Sequence, residues 1–182
     1  MAAGSFRPRV IRERARHMSP NDHADSVQGA AQAGSPGLLI GNQYVRSFSL
    51  TVPGAPGVYA NVPLRVHMAL GIDVSARQLA DNQPNFEVTL VMRAQGLRDA
   101  PSAEVPNPER LYEAELAYSG LVMLQNAGPD TFEPLLLIEA PRMLFPGARN
   151  VLAMNVREAG FPVTMLQPVD FVALWHARRA QR

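Results

Sequence analysis

The side chains that could carry out acid, base or metal chemistry are few in this sequence and lie far apart. The chain has four histidines and no cysteine among its 182 residues. None of the histidines is followed three or four residues later by a histidine or a carboxylate, the spacing that places two metal ligands on one helix face. The sequence therefore predicts no metal site. The lack of cysteine also excludes disulfides, thiolate nucleophiles and iron–sulfur clusters.

Motifs for nucleophilic catalysis and phosphate binding are also missing. All 17 basic residues are arginine, which excludes a P-loop lysine and a Schiff-base lysine. Nucleophile-elbow, dinucleotide-binding and zinc-protease motifs do not occur. Glu113 and Glu115 stand two residues apart in a strand-like segment, so we interpret them as a solvated edge rather than an acid–base pair. We predict that the protein is not an enzyme and uses no cofactor.

The sequence is richer in adaptable apolar side chains. Met123, Met143, Met154 and Met165 are spread over its second half. An unbranched thioether side chain can pack against many different partners, so these residues suit a binding surface for varied ligands. They also suit core filling, and the sequence leaves both interpretations open.

Composition and charge divide the chain into three parts. A hydrophobic content of 47% with only 18% charged residues is typical of one packed domain, which we place at residues 37–177. Residues 1–36 are expected to be disordered, and residues 178–182 form a short basic tail. The five arginines within residues 1–17 fit a transit peptide or a nucleic-acid-binding arm, but we favour a true start at Met18. No signal peptide or membrane span is recognisable, so we expect a cytoplasmic protein.

Four segments with alternating apolar and polar residues predict the strands of an antiparallel sheet. Even-numbered side chains are predicted to face inward in all four, including Tyr44 in the first segment, and His67 to face outward in the second. Because the links are short, we expect a four-stranded β-meander with one wet face. The inward residues are Leu38, Ile40, Tyr44, Phe48, Leu50, Val52, Leu64, Val66, Met68, Leu70, Ile72, Val74, Phe86, Val88, Leu90, Met92, Ala94, Tyr112, Ala114, Leu116, Tyr118 and Val122.

The period becomes helical after Gly128. A capping box between Asp130 and Glu133 predicts the start of one helix, which Pro141 should end. A second helix should start near Pro146 and end at Gly160. The long apolar segment 161–169 must cover something or be covered, and a last helix should begin at about Asp170. The fold predicted is therefore α+β, with helices packed on one face of the sheet.

Several runs of residues resemble the SecB family of protein-export chaperones. The specific ones are Leu144-Phe145-Pro146-Gly147-Ala148-Arg149, Phe161-Pro162, and Leu166-Gln167-Pro168-Val169-Asp170-Phe171-Val172-Ala173-Leu174. Tyr44, the Phe48-Ser49 pair and Phe86-Glu87-Val88 also match the family. The resemblance covers residues 38–176.

This resemblance implies a function and an assembly. Members are homotetramers, dimers of dimers, that bind unfolded precursor proteins without ATP and deliver them to the SecA motor. It implies no nucleic-acid partner and a link to the membrane only through SecA. The client-binding groove it implies is formed by Phe145, Phe161, Pro162, Met165, Leu166 and Phe171.

The SecA-docking face of the family corresponds here to Ser47, Thr51 and Glu115. The family usually carries acids at all three positions, and this chain keeps only Glu115. Delivery to SecA is therefore expected to be weakened. Two other functions stay open: a SecB-like adaptor dedicated to one client, such as an antitoxin, and an RNA-binding protein that uses the arginines of residues 1–17.

Overall fold

A four-stranded antiparallel sheet forms one layer of the fold. The computed structural model describes residues 34–162 and 166–180. Alternation predicts a strand in each of four places, and the structure confirms each one. The strands are β1 (Gly37–Thr51), β2 (His67–Gln78), β3 (Asn85–Leu97) and β4 (Arg110–Gln125).

The order of the strands is β1-β4-β3-β2, so the predicted meander was wrong for β1. Strands β2, β3 and β4 follow one another, but β1 pairs with β4. The link from β1 to β2, residues 52–66, crosses from one edge of the sheet to the other and contains a short 3₁₀ helix, Gly57–Asn61. Alternation identifies a strand but does not say which strand it pairs with. Strands β1 and β2 are therefore the two edges.

Two register shifts in β1 turn part of the strand over. Its pairing with β4 slips after Ile40 and again after Val45, and each slip adds one residue to β1. Side chains between the slips therefore face the side opposite to the predicted one. Tyr44 was predicted to face inward, but it pairs with Ser119 and faces outward. Phe48, beyond the second slip, faces the core again.

The helices over the sheet form one nearly continuous run. It consists of α1 (Pro129–Pro134), a π-helical turn (Leu135–Glu139) and α2 (Ala140–Glu158). The predicted break between Pro141 and Pro146 was wrong. In the last hydrogen bond of this turn, the N–H of Ala140 donates to the carbonyl of Leu135, which lies five residues earlier. Pro141 directly follows this turn, and the run continues through it and through Pro146.

The caps of this run agree with the prediction at one end only. At the start, Gly128 rather than Asp130 is the N-cap residue, and its N–H donates to Thr131 Oγ1 at 2.9 Å. At the end, Gly160 has φ +87°, a conformation that glycine adopts without strain. Its N–H donates to the carbonyl of Arg157 at 2.9 Å, and the next N–H reaches Val156, which completes a Schellman motif.

The last helix, α3, spans Phe171–Arg179 and begins where predicted. The Asp170 carboxylate accepts hydrogen bonds from the N–H groups of Val172 and Ala173, both at 3.0 Å. An aspartate in this position satisfies two of the free donors at a helix start. The helix packs beside β2 and the π-helical turn.

The core lies between the sheet and α2. The two layers meet closely at Gly120 of β4, where an added Cβ would come within 2.5 Å of Leu144 Cδ2 on α2. The residues described belong to one unit, Ala33–Arg182. The expectations for residues 1–33, including the start at Met18, lie outside the described residues.

Candidate functional site

An apolar groove lies between edge strand β2 and α3. Two cavities open along it, with volumes of about 410 Å³ and about 620 Å³. Leu174 of α3 lines both, so the cavities are neighbours along the same helix. Volumes of this size accommodate several side chains of a bound partner. We define the groove as these two cavities together.

The first cavity has an aromatic wall and a polar rim. Phe86 of β3 and Phe132 of α1 meet edge to face there, with ring centroids 5.1 Å apart. On the rim, Trp175 donates a hydrogen bond from Nε1 to Glu133 Oε1 at 3.1 Å. The guanidinium of Arg179 lies 4.8 Å from the centre of the Trp175 ring. The Trp175–Glu133 hydrogen bond therefore links α3 to α1, whereas the Arg179–Trp175 contact lies within α3.

The second cavity is lined mostly by aliphatic side chains. Met68, Leu70 and Ile72 of β2 form one wall, and each is only half-buried. The segment 166–170 and α3 form the other walls. These side chains leave apolar surface open to a partner.

Arg178 ties the C-terminal end of α3 to β2. Its Nη1 donates to the backbone carbonyl of Val74 at 2.5 Å, and its guanidinium pairs with the carboxylate of Asp73. Both side chains of that ion pair are partly exposed, and exposed pairs contribute little stability. One side of the groove is thus held by contacts that water can reach.

Three of the residues predicted to line the groove lie in the core instead. Phe145 and Phe171 form an edge-to-face pair with centroids 6.0 Å apart, and Phe161 packs on Tyr112 at 5.1 Å. None of the three phenylalanines is more than 6% exposed. Within one chain, the three rings therefore pack between the helices and the sheet and line neither cavity.

The other predicted groove residues have different positions. Leu166 is half-buried and lines the second cavity. Pro162 is half-buried, outside both cavities, and Met165 lies outside the described residues. For all six residues, contact with a bound chain stays a prediction.

Sequence reasoning missed the β2 wall of the groove. Alternation placed Met68, Leu70 and Ile72 correctly on the inward side of the sheet. It did not show that β2 is an edge strand, beside which α3 leaves apolar side chains uncovered. The apolar stripe of the last helix, which includes Leu174 and Trp175, was the signal that could have located this groove.

The predicted docking residues lie on the face of the sheet away from the helices. Ser47, Thr51 and Glu115 are all exposed there. The carboxylate of Glu115 is paired with Arg93 Nε at 2.9 Å. The backbone of Thr51 pairs with Glu113 on β4. The three residues share a face, and their docking role stays a prediction.

A buried carboxylate on this outer face connects three strands. Glu87 of β3 is 5% exposed and accepts hydrogen bonds from Tyr44 Oη at 2.6 Å, Arg77 at 2.8 Å and Arg46 at 2.9 Å. The hydrogen bond from Tyr44, followed by that from Arg77, lowers the pKa of Glu87 to about 2. Sequence reasoning missed this cluster because Tyr44 was assigned to the other face.

The described residues offer no metal chemistry and no membrane span. They contain no group of three histidine, aspartate or glutamate side chains that could hold a metal ion. No helix within the described ranges is both long enough and apolar enough to cross a bilayer.

The fold is similar to that of a known chaperone structure. The Mycobacterium tuberculosis Rv1957 SecB-like chaperone, in complex with a ChAD peptide from the HigA1 antitoxin, superposes with a TM-score of 0.56. The match covers 72% of this chain and 90% of that chain at 11% sequence identity. At this identity the comparison supports the fold alone.

Sequence relatives are much more similar. The protein-export protein SecB of Granulibacter bethesdensis is 44% identical over 83% of this chain and 86% of its own length. The protein of the same name from Gluconacetobacter diazotrophicus is 40% identical over 88% of this chain and 91% of its own. Residues 31–182 match the family described as preprotein translocase subunit SecB. This chain therefore belongs to the SecB family.

Proposed function

We propose that this protein is an ATP-independent export chaperone that acts in the cytoplasm. It binds unfolded precursor proteins, keeps them competent for translocation and delivers them to the SecA motor. The proposal is supported by membership of the SecB family and by the export name of its relatives. The observation that carries it is the apolar groove between β2 and α3.

The groove has the physical properties that binding of unfolded chains requires. An unfolded chain exposes apolar side chains in many sequences, so its partner needs broad apolar contact rather than a fixed pattern of polar groups. The side chains of Met68, Leu70 and Ile72 provide such contact. Because the function consists of binding alone, it needs none of the catalytic motifs that the sequence lacks.

We propose that four chains assemble as a dimer of dimers. In the apolar block Leu135–Ile138, Leu136 and Ile138 are already buried within one chain. Helix α2 leaves apolar side chains exposed, with Met143 52% exposed and Met154 58% exposed. Burial of this α2 surface between chains would remove its methionines from water.

The outer face of the sheet is proposed to dock SecA through Ser47, Thr51 and Glu115. This face lies on the opposite side of the sheet from the helices, so client binding and docking use separate surfaces. An adaptor dedicated to one client is less well supported. The relatives at 44% and 40% identity are named for export, whereas the antitoxin-peptide complex is 11% identical.

Suppression of aggregation tests the proposal. Several unrelated proteins are unfolded chemically and diluted into buffer without ATP, with or without this protein. We expect light scattering to fall for all of them at about one tetramer per client. Protection of one client only would favour the dedicated adaptor, and protection of none would contradict chaperone function.

A further inference from the structure

Within the part of the chain that the structure describes, one edge of β2 has no neighbouring strand. The hydrogen-bonding groups on that edge can be assigned residue by residue. At the hairpin to β3, the N–H of Leu79 donates to the carbonyl of Asn85 at 3.0 Å. The register between the two strands then continues without a shift from His67 to Gln78. In an antiparallel strand the N–H and C=O of one residue point to the same side, and successive residues alternate. The odd-numbered residues of β2 therefore face β3, and the even-numbered ones face the open edge.

Arg178 gives independent evidence for this assignment. Its guanidinium reaches the carbonyl of an even-numbered residue, Val74, at 2.5 Å. The donor from Arg178 thus occupies the position that the N–H of a neighbouring strand would take. The outer backbone groups of Met68, Leu70 and Ile72 have no hydrogen-bond partner among the residues that the structure describes.

The same even-numbered residues direct their side chains into the groove. Met68, Leu70 and Ile72 line the second cavity, and Val74 lines the first. A chain lying alongside β2 in extended conformation would bond to these backbone groups. Residues directly opposite one another in paired strands place their side chains on the same face. The bonded residues of the added chain would therefore project their side chains into the groove.

We propose that an extended apolar segment of an unfolded protein adds to β2 as a fifth strand, and that Arg178 closes the far end of this edge. This inference rests on the proposed function and adds backbone recognition to it. Main-chain hydrogen bonds are the same for every sequence, so strand addition gives affinity without selecting one client. The alternating apolar side chains then select segments that would form buried strands in the client's own fold.

Backbone methylation of a bound peptide tests strand addition directly. The probe is a fluorescently labelled peptide in which valine and threonine alternate, and its affinity is measured by anisotropy. The valines are expected to enter the groove, so their N–H groups should bond to β2. A single N-methyl group on a central valine should weaken binding about tenfold, the effect of losing roughly one hydrogen bond. The same group on a threonine should change affinity less than about twofold.

The outcomes separate this inference from the proposed function. Equal effects at valine and threonine, or no effect at either, would overturn strand addition. So would failure of the unmethylated peptide to bind to a protein that still suppresses aggregation. Loss of both peptide binding and aggregation suppression would instead overturn the proposed function.

Amide hydrogen exchange provides a second test in the protein itself. On addition of the unmethylated peptide, the N–H groups of Met68, Leu70 and Ile72 should exchange at least about tenfold more slowly. Those of the odd-numbered residues between them should not change, because β3 already protects them. In Arg178→Ala the protection should extend to Val74, and in the control Arg179→Ala it should not. Uniform protection of odd and even residues would overturn the proposal.

Discussion

Tyr44 of β1 donates a hydrogen bond to Glu87 of β3 over 2.6 Å, across the strand β4 that separates them. The same carboxylate accepts a hydrogen bond from Arg77 of β2. One buried charge therefore connects both edges of the sheet to its interior. The link depends on the two register shifts that turn Tyr44 to the outer face. It also holds the strand that forms one wall of the groove.

Removal of the charge at Glu87 should destabilise the fold. We expect Glu87→Gln to lower the free energy of unfolding by about 2 kcal/mol, because it loses charge-assisted hydrogen bonds from Tyr44 and two arginines. Urea denaturation at a fixed protein concentration measures the change. The matched control is Glu115→Gln, whose ion pair with Arg93 is exposed on both sides. It should cost less than about 1 kcal/mol, and equal losses in the two variants would contradict this account.

Acid should remove the contribution of Glu87 to stability. Its pKa falls from 4.5 in the unfolded chain to about 2 in the folded protein, so the folded state favours the charged form. The stabilisation is therefore complete above pH 4.5 and is lost as the pH falls towards about 2. The difference in unfolding free energy between wild type and Glu87→Gln should be constant near neutral pH and shrink over this window. If the difference stays constant down to a pH of about 2, Glu87 is not the group responsible.

Local patterns predicted the strands, the Gly160 cap and the start at Asp170, because each depends on residues close in sequence. Tyr44 was assigned to the wrong face because a register shift depends on pairing with a distant strand and leaves the alternation itself unchanged. The break at Pro141 was predicted from the missing N–H, but the run passes through a π-helical turn directly before this proline and continues into α2. The β2 wall of the groove required the strand order, which alternation does not contain.

The exposed methionines of α2 should be needed for assembly. Light scattering of the wild type is expected to report about four chains per particle. Met143→Glu with Met154→Glu should shift it to smaller species, because a charge at each position opposes burial. The control is Leu64→Glu, which changes a leucine that is 97% exposed and lies outside α2. The control should keep four chains per particle. If the double variant also keeps four chains, the interface lies elsewhere.

Restoring acids to the outer face should strengthen docking. We expect Ser47→Asp with Thr51→Glu to raise affinity about tenfold for the SecA of a bacterium whose SecB carries both acids. The gain should come from faster association and fade with added salt. Calorimetry at two salt concentrations measures it, with Glu115→Gln expected to weaken docking. If neither protein differs from wild type, SecA does not dock on this face.

The central claim, that the groove between β2 and α3 holds unfolded chains, is tested most directly by one pair of substitutions on β2. Leu70→Gln places an amide in the second cavity, whereas the control His67→Gln changes an exposed side chain outside both cavities. Fluorescence anisotropy measures the affinity of each for a labelled, permanently unfolded protein. We predict that Leu70→Gln weakens binding about tenfold and that His67→Gln leaves it unchanged. Equal affinities in two folded variants would contradict the claim.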